Sequence, residues 1–334
     1  MKYKKIVVVM IVFFTIFGII NMMIMPSQCA WAQKRITIGG GSPGAIYYLF
    51  AAAAARVFSK HYPEFMVNSA SVGGSGENAL LLGREEQEFG IMSNDTAFHA
   101  YNGVEEFTGK ACPNLRAVTG GYAYGMNLIV LEDSPIKSYR DTVGRRVCVG
   151  PAGGSYHIHV GRMMSLGYGI DISKAITQVN MNYNAAPDAL RDGIVHAIYN
   201  PAGVIPETRG GGTYNLSVER KVRFISIDEE AMKKIQTKYP YFLKVILEPG
   251  FFPNQTKPYT LLAVPAMVGA HKNVSEDIVY KFAKAIYDNK KELLDIFPGG
   301  KDFVDFSQIK SLSIPLHPGA IKYYKEKGVE MPKF

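Results

Sequence analysis

Short apolar segments that end in glycine-rich loops, each followed by a helical pattern, constrain this chain more than any other feature. Three such units occur, namely segment 36–38 with loop 39–44, segment 65–70 with loop 71–76, and segment 146–149 with loop 150–155. A helix is predicted over 45–61 after the first loop, and another helix is predicted to open at Asn78 after the second. Strand, loop and helix repeated in this order predict parallel sheets covered by helices, an α/β fold.

The middle of the chain is bracketed by two long strand-like runs, 127–131 and 259–264. Further strands are predicted at 89–93, 178–182, 196–200 and 222–227. The pattern fits a middle lobe inserted into an outer lobe, with two crossing strands that act as a hinge. We therefore predict two domains after a leader: residues 33–124 with 266–334 form lobe 1, and residues 125–265 form lobe 2.

The amino terminus has the features of an export signal. Lys2, Lys4 and Lys5 precede an apolar stretch over 6–20, and Ala30-Trp31-Ala32 matches the small-residue pattern of a cleavage site. Residues 1–32 are predicted to be a signal peptide cleaved after Ala32, which places the mature chain in the periplasm. A retained membrane anchor is the alternative, because the apolar character continues weakly to Met25.

The charge of the mature chain argues against binding to nucleic acid. Removal of residues 1–32 takes away three of the 37 Lys and Arg and no acid, which leaves 34 basic and 29 acidic residues and a net charge of +5. The basic residues are scattered, and their short clusters lack interleaved aromatic residues. Two cysteines remain, Cys112 and Cys148; a bridge is possible, but a free thiol is favoured for Cys148 because it lies in an apolar strand.

No cofactor or metal site is predicted. Gly39, Gly41 and Gly44 match the G-x-G-x-x-G pattern of dinucleotide sites, yet Ser71 and Val72 stand where an acidic residue would bind the ribose. The sequence has neither H-E-x-x-H nor C-x-x-C. The pair His157 and His159 has alternate spacing at a helix start, which points the two rings to different faces.

One catalytic alternative rests on Gly40-Gly41-Ser42-Pro43-Gly44, which matches the G-x-S-x-G pattern of secreted serine hydrolases with Ser42 as nucleophile. Pro43 argues against it. The residue after such a nucleophile normally donates its backbone N–H to the oxyanion, and proline has none. We therefore expect that the chain is not an enzyme, with the hydrolase as the competing class.

The three glycine-rich loops share a chemical property. Each precedes a helix and presents backbone N–H groups at its positive end, which favours a carboxylate or a phosphate without a dedicated cation. Singly, each loop is equally well explained as an ordinary tight turn; three of them from both lobes favour a ligand site. Tyr47, Tyr122 and Tyr124 fit either the wall of such a site or core packing.

The loops and their neighbours resemble the TAXI-type solute receptors of tripartite (TRAP) transporters. The similar segments are GGGSPGAIYY (39–48), SVGGSGEN (71–78), FGIMSNDTAFHAYNG (89–103), SPIKSYRDTVGRRVCVGPAGGS (134–155), NAAPDALRDG (184–193) and PLHPGAIKYY (315–324). The resemblance implies a type II periplasmic-binding-protein fold in a monomer. It also implies a small anionic or zwitterionic ligand, dicarboxylate or amino-acid-like, that is handed to a TRAP membrane permease.

The resemblance also implies which residues contact the ligand. They are Ser42, Ala45, Tyr47, Gly74, Ser75, Asn78, Asn94, Asp95, Gly153, Gly154, Ser155, Asn200, Ala202 and Gly203. Two departures from the family pattern change the polar groups at the site. Family members usually carry Gln where Ser93 stands, and their A-P-G-S-G-T loop is replaced by P-A-G-G-S-Y over 151–156. Glutamate, a known ligand of the family, is therefore not assigned to this chain.

Overall fold

The computed structural model describes residues 33–333 except Ser42, Gly44, 152–154 and Pro240. The predicted signal peptide lies outside the described residues. Arg35–Phe334 forms one compact unit.

In the described residues, ten strands and eleven α-helices follow one another in mostly alternating order. The strands are β1 (Lys34–Gly39), β2 (Phe65–Ala70), β3 (Phe89–Ser93), β4 (Leu115–Leu131), β5 (Arg146–Cys148), β6 (Thr177–Val179), β7 (Ala197–Gly203), β8 (Val222–Ile225), β9 (Leu243–Leu247) and β10 (Tyr259–His271). The α-helices are α1 (Ile46–His61), α2 (Ser75–Gly83), α3 (Asn94–Asn102), α4 (Ser155–Tyr168), α5 (Ile172–Ala175), α6 (Ala186–Arg191), α7 (Gly211–Glu219), α8 (Glu229–Lys238), α9 (Glu276–Asp288), α10 (Lys290–Ile296) and α11 (Pro318–Glu326). Short 3₁₀ helices lie at Glu105–Phe107, Tyr139–Thr142, Pro206–Thr208, Pro298–Val304 and Phe306–Ser311.

All ten strands belong to one sheet with the order β2-β1-β3-β10-β4-β7-β5-β6, while β8 also pairs with β4 and β9 with β10. Strands β1 and β3 pair in parallel, as do β5 and β6, and β5 and β7. Parallel pairs joined through helices are the expected product of strand–loop–helix units.

The long strands β4 and β10 run antiparallel through the centre and change partners along their length. The amino-terminal part of β4 pairs with β10, whereas its carboxyl-terminal part pairs with β7 and β8. Likewise, β10 pairs first with β9 and then with β3 and β4. The changes fall near Gly125 on β4 and Ala263 on β10, and the β4–β10 register shifts near Pro265.

These pairings define two halves. The outer half contains β1–β3, α1–α3 and α9–α11; the middle half contains β5–β9 and α4–α8, and β4 and β10 run through both. The predicted α/β fold of the type II periplasmic-binding class, with two strands that cross between two lobes, is confirmed by this topology.

Several local predictions hold because the chain carries recognisable start and stop residues. The Ser275 hydroxyl accepts a hydrogen bond from Ile278 N at 3.3 Å and caps α9. Ser138 and Asp141 form a reciprocal capping box at the 3₁₀ helix Tyr139–Thr142. Pro187 lies in the first turn of α6, and Gly193 follows that helix with a φ of 72°.

Other predictions need correction. Helix α2 begins at Ser75 rather than Asn78, because Gly74 adopts a φ of 112° and lets the chain turn into the helix immediately. Strands β4 and β10 extend well beyond the predicted runs 127–131 and 259–264. Because these segments contain glycines and alternating apolar residues, the sequence did not indicate buried strands of this length.

Buried aromatic pairs hold the helices against one another and against the sheet. In the outer half, Phe50 stacks on Phe303 with ring centroids 3.9 Å apart, and Phe89 stacks on Phe282 at 4.3 Å. In the middle half, Phe224 stacks between other rings in a second apolar cluster. Cys112 and Cys148 are both buried and free. In the described part of the chain, no helix is both long enough and apolar enough to cross a membrane.

Close packing of β4 against the 3₁₀ helix Pro298–Val304 gives a stability prediction. A methyl group added at Gly121 would overlap the Phe303 ring. We expect Gly121→Ala to lower the free energy of unfolding by about 1–3 kcal/mol, because overpacking a dense core forces rings off their rotamers. Urea denaturation measures this change.

The matched control is Gly76→Ala in helix α2, where nothing lies within 4 Å of the added carbon. We expect Gly76→Ala to be neutral or slightly stabilising, since alanine favours helix. Equal destabilisation by both substitutions would contradict the packing account.

Candidate ligand-binding cleft

A cavity of about 750 Å³, called here the cleft, is lined by residues of both halves. Its walls contain segments from the amino-terminal ends of helices, from the crossing strand β4 and from loops of the middle half. The lining residues are Pro43, Ala45, Ile46, Tyr47, Leu49, Gly74, Ser75, Tyr122, Tyr124, Pro151, Tyr156, Asn182, Tyr183, Asn184, Pro201, Ala202, Gly203, Glu207, Thr208, Gly210 and Phe297. Its size suits a small metabolite.

A second hollow, of about 680 Å³, lies along helix α8 and strand β9 and is less suited to a ligand. It opens broadly to solvent and involves the middle half alone. Two of its charged lining groups, Lys244 and Glu229, already form an ion pair with each other. The cleft is therefore the candidate site.

Three helix starts reach the cleft. Helix α1 contributes Ala45 and Ile46, helix α2 contributes Gly74 and Ser75, and helix α4 contributes Tyr156. The first backbone N–H groups of a helix have no partner within the helix, and the helix dipole makes this end positive. Each of these ends can favour a negatively charged group of a ligand.

Five tyrosine rings form a continuous row along the cleft, called here the tyrosine arc. The ring centroids of Tyr47 and Tyr122 are 5.9 Å apart, those of Tyr122 and Tyr124 are 6.4 Å apart, and Tyr124 and Tyr156 are separated by 6.0 Å. Tyr183 meets Tyr156 edge to face at 5.7 Å. The arc thus runs from helix α1, across β4, to the middle half.

Burial keeps the tyrosine arc uncharged. Desolvation raises the pKa of Tyr47, Tyr122, Tyr124 and Tyr156, and it raises the pKa of Tyr183 to about 12. At neutral pH these side chains therefore offer hydroxyl groups and ring faces rather than phenolate charges.

The lining carries little formal charge. Among the described lining residues Glu207 is the one ionisable group besides the tyrosines, and none is Lys, Arg or His. Ser75, Asn182, Asn184 and Thr208 add neutral hydrogen-bonding groups. No group of three or more His, Cys, Asp or Glu among the described residues is arranged to hold a metal ion.

Six of the predicted site residues line the cleft, namely Ala45, Tyr47, Gly74, Ser75, Ala202 and Gly203. Gly203 must be glycine, because a Cβ there would overlap the Thr208 side chain that lies against it. Tyr122 and Tyr124, which fitted either a wall or the core, do both: they are buried and they line the cleft.

Four other predicted residues do not line the cleft, and each of them forms at least one hydrogen bond inside the protein. Asn78 donates to Gly40 O and Ile91 O at 2.7 and 2.8 Å and accepts from Gln87 Nε2. This network ties α2 to strands β1 and β3.

Asn94, Asp95 and Asn200 are also committed to internal contacts. Asn94 donates to Ser311 O at 2.6 Å, and Asn200 donates to Thr213 Oγ1 at 2.8 Å. Asp95 is fully buried and is hydrogen-bonded to His159. Of the remaining predicted residues, Ser42, Gly153 and Gly154 lie outside the described residues, and Ser155 is described only as the first residue of α4.

Sequence reasoning missed the contact between Asp95 and His159. Asp95 is the second residue of α3 in the outer half, and His159 lies on α4 in the middle half; the His159 Nε2 and Asp95 Oδ2 atoms are hydrogen-bonded. His159 Nδ1 lies 3.0 Å from the hydroxyl of Tyr124, a lining residue. An acidic residue directly after the wholly buried strand β3 is the one sequence feature that pointed to a buried charge.

A neighbouring set of charges also bridges the halves. Arg162 on α4 lies 2.6 Å from Glu106 and 3.5 Å from Glu105, both of the outer half. Burial opposes the charge of Glu106, but the hydrogen bond from His99 and the contact with Arg162 lower its pKa to about 2. Tyr239 of the middle half donates to Glu105 at 2.7 Å.

The buried pair gives a pH prediction. Burial opposes the charge of Asp95, yet the charge of His159 and the hydrogen bond with it hold the pKa of Asp95 below its usual range. A carboxyl group with a lowered pKa stabilises the fold above its ordinary pKa near about 4, and this contribution is lost as the pH falls below that value. Asp95→Asn should therefore reduce the loss of stability at acid pH.

The measurement is urea unfolding at pH 7, 5 and 3. At pH 7 we expect Asp95→Asn to cost about 3–5 kcal/mol, the usual cost of removing one member of a buried ion pair. Asp133→Asn, at an exposed site, is the control and should behave like the wild type. An acid dependence of Asp95→Asn as steep as that of the wild type would refute this role.

Proteins of known structure have folds similar to this one. XAC2383 from Xanthomonas citri, solved with ATP, is similar with a TM-score of 0.52 and 9% identity over 88% of this chain and 95% of that one. This likeness supports the fold alone. The periplasmic aliphatic sulphonate binding protein SsuA from Escherichia coli matches less closely, with a TM-score of 0.45 and 16% identity over 89% of this chain and 88% of that one.

A probable amino-acid ABC transporter extracellular-binding protein, ytmK from Bacillus subtilis, has a TM-score of 0.45 and 12% identity over 80% of this chain and 98% of that one. A family model, that of the NMT1-like family, matches residues 38–328. The match covers most of the sequence and includes the helix starts and the tyrosine arc of the cleft. The chain belongs to the NMT1-like family.

Proposed function

We propose that the protein is a periplasmic solute receptor that captures a small carboxylate-bearing metabolite between its two halves and delivers it to a membrane permease. The observation that carries this proposal is the shared cleft, in which helix starts of the outer half face loops of the middle half. A cavity with walls from two halves connected by two strands is a typical place for a ligand to bind.

The proposed mechanism is closure around the ligand. We assign residues 33–124 and 266–334 to one lobe and 125–265 to the other, so that the hinge lies where β4 and β10 change partners. A ligand held by both lobes gains contacts only when the lobes are closed, and only such differential contacts shift the equilibrium. The closed form is then the form presented to the permease.

The permease is proposed to be of the TRAP type, on the strength of the motifs shared with TAXI receptors. An ABC-type permease is the competing partner, since the Bacillus subtilis protein is a probable binding protein of an ABC transporter. A dicarboxylate or an amino-acid-like compound is the proposed cargo, with a carboxylate at the helix starts. The proposed contacts to the ligand include Ala45, Gly74 and Ser75.

The lining offers little support for the hydrolase alternative. Its nucleophile, Ser42, lies outside the described residues, and no histidine is present among the described lining residues to act as a base. His159 is engaged with both Asp95 and Tyr124. The residue after Ser42 is Pro43, which has no N–H for an oxyanion.

Ligand binding should raise the melting temperature of the mature protein. A ligand at about 100 times its Kd adds about 2.7 kcal/mol of stability, which corresponds to several degrees for a chain of this size. Differential scanning fluorimetry with succinate, glutarate, glutamate and 4-aminobutyrate is the measurement. If no compound of a broad set of small acids and amino acids shifts the transition, the receptor proposal fails.

A cleft-filling variant tests the location. Ala45 is exposed and lines the cleft, so Ala45→Phe should abolish the ligand-dependent shift while leaving the ligand-free melting temperature nearly unchanged. Ala111→Phe, also at an exposed alanine but away from the lining, is the control and should retain the shift. A full shift in Ala45→Phe would place the binding site elsewhere.

A further inference from the structure

The charge balance of the cleft limits what it can bind. Glu207 is exposed at the wall, and its paired cation, Lys301, stands at 4.0 Å with a side chain that is itself 61% exposed. Such a pair is weak in water. None of the residues left undescribed between 33 and 333 is basic, since they are Ser42, Gly44, Ala152, Gly153, Gly154 and Pro240.

A second carboxylate of a ligand would find no cationic side chain among the described lining residues. One carboxylate can lie at the helix starts, where backbone N–H groups and helix dipoles favour it. A carboxylate at the other end of the same ligand would face Glu207 and neutral tyrosines. Like charges repel, and a desolvated charge without a partner is costly.

The tyrosine arc favours a positively charged group of a ligand over a negatively charged one. Aromatic faces attract ammonium groups, by about 0.5–1 kcal/mol at exposed sites and by about 2 kcal/mol where water is excluded. The arc presents five rings in succession, each within 6.4 Å of the next. Aromatic side chains that line a site are a common means by which proteins hold organic cations.

A buried hydroxyl group within the arc independently points to a ligand. Tyr156 is 3% exposed and lines the cleft, and its hydroxyl oxygen lies near the backbone of Asn127 without meeting full hydrogen-bond geometry there. Buried hydroxyl groups are normally paired, because an unpaired one costs free energy. A polar group of a ligand next to the arc would pair with it.

We propose, given the receptor function above, that the cargo is a small organic ammonium compound with at most one carboxylate. Its nitrogen lies against Tyr183 and Glu207, at the middle-half end of the tyrosine arc, and its carboxylate lies at the starts of α1 and α2. The cleft thereby selects zwitterions over dicarboxylates of equal length. Glu207 and Tyr183 are the residues that determine this selectivity.

The test compares three five-carbon acids by isothermal titration calorimetry at pH 7: 5-aminopentanoate, glutarate and pentanoate. They share one carboxylate and differ at the other end, which is an ammonium, a carboxylate or a methyl group. We expect 5-aminopentanoate to bind at least tenfold more tightly than glutarate and more tightly than pentanoate. Tighter binding of glutarate overturns the charge assignment and leaves the receptor function standing.

The substitution Glu207→Gln removes the negative charge of Glu207 and so measures its contribution to binding. It should weaken binding of 5-aminopentanoate at least threefold and leave pentanoate unchanged. Glu248→Gln makes the same charge change at an exposed position outside the lining and should change neither affinity. Equal losses in both variants would mean that the effect is one of net charge, and would overturn the role of Glu207.

Two substitutions at Tyr183 distinguish the contribution of its aromatic ring to binding from that of its hydroxyl group. Tyr183→Phe keeps the aromatic face and should bind 5-aminopentanoate within about twofold of the wild type, whereas Tyr183→Leu should bind at least fivefold more weakly. Equal affinities of the two variants would contradict recognition by the ring face. If none of the three acids binds, the ammonium proposal falls; if a broad set of small acids and amino acids also fails to bind, the receptor function falls with it.

Discussion

The antiparallel pairing of β4 with β10 is the constraint on which the rest of the molecule depends. One end of each strand belongs to the outer half and the other end to the middle half, so the two halves share the central strands of a single sheet. The carboxyl ends of the flanking parallel strands then open toward a common gap, and the helices that follow begin there. Tyr122 and Tyr124 lie on β4 itself, which extends the wall of the cleft without interruption from one half to the other.

Several polar groups that could have contacted a ligand instead form hydrogen bonds and ion pairs within the protein. Asn78 holds α2 against β1 and β3, and the pair Asp95–His159 spans the two halves beside Tyr124. Arg162 and Glu106 repeat that bridge nearer to the surface. Buried pairs of this kind contribute more to a defined geometry than to net stability, because desolvation offsets most of their attraction. The cleft is therefore lined mainly by aromatic rings, small residues and backbone.

The class of fold followed from patterns that are local in the chain. Alternation of apolar segments, glycine-rich loops and helices located β2 and β3 to the residue and α1 to within one residue, since turn and cap residues act over short distances. Six lining residues followed from the resemblance to a known family. The remainder depended on contacts between distant segments: His159 lies 64 positions from Asp95, and no spacing rule connects them. Asn182 and Tyr183 come to the cleft from a loop, and Thr208 comes from a short 3₁₀ helix, neither of which has a recognisable motif.

The tyrosine arc has an optical consequence. The single tryptophan of the sequence is Trp31, within the predicted leader, so a mature chain that starts at Gln33 emits ultraviolet fluorescence from tyrosine alone. Five of its emitters surround the cleft and lie close enough to exchange excitation energy. Occupancy of the cleft would thus be readable as a change in emission near the phenol band, without any attached dye and without interference from indole.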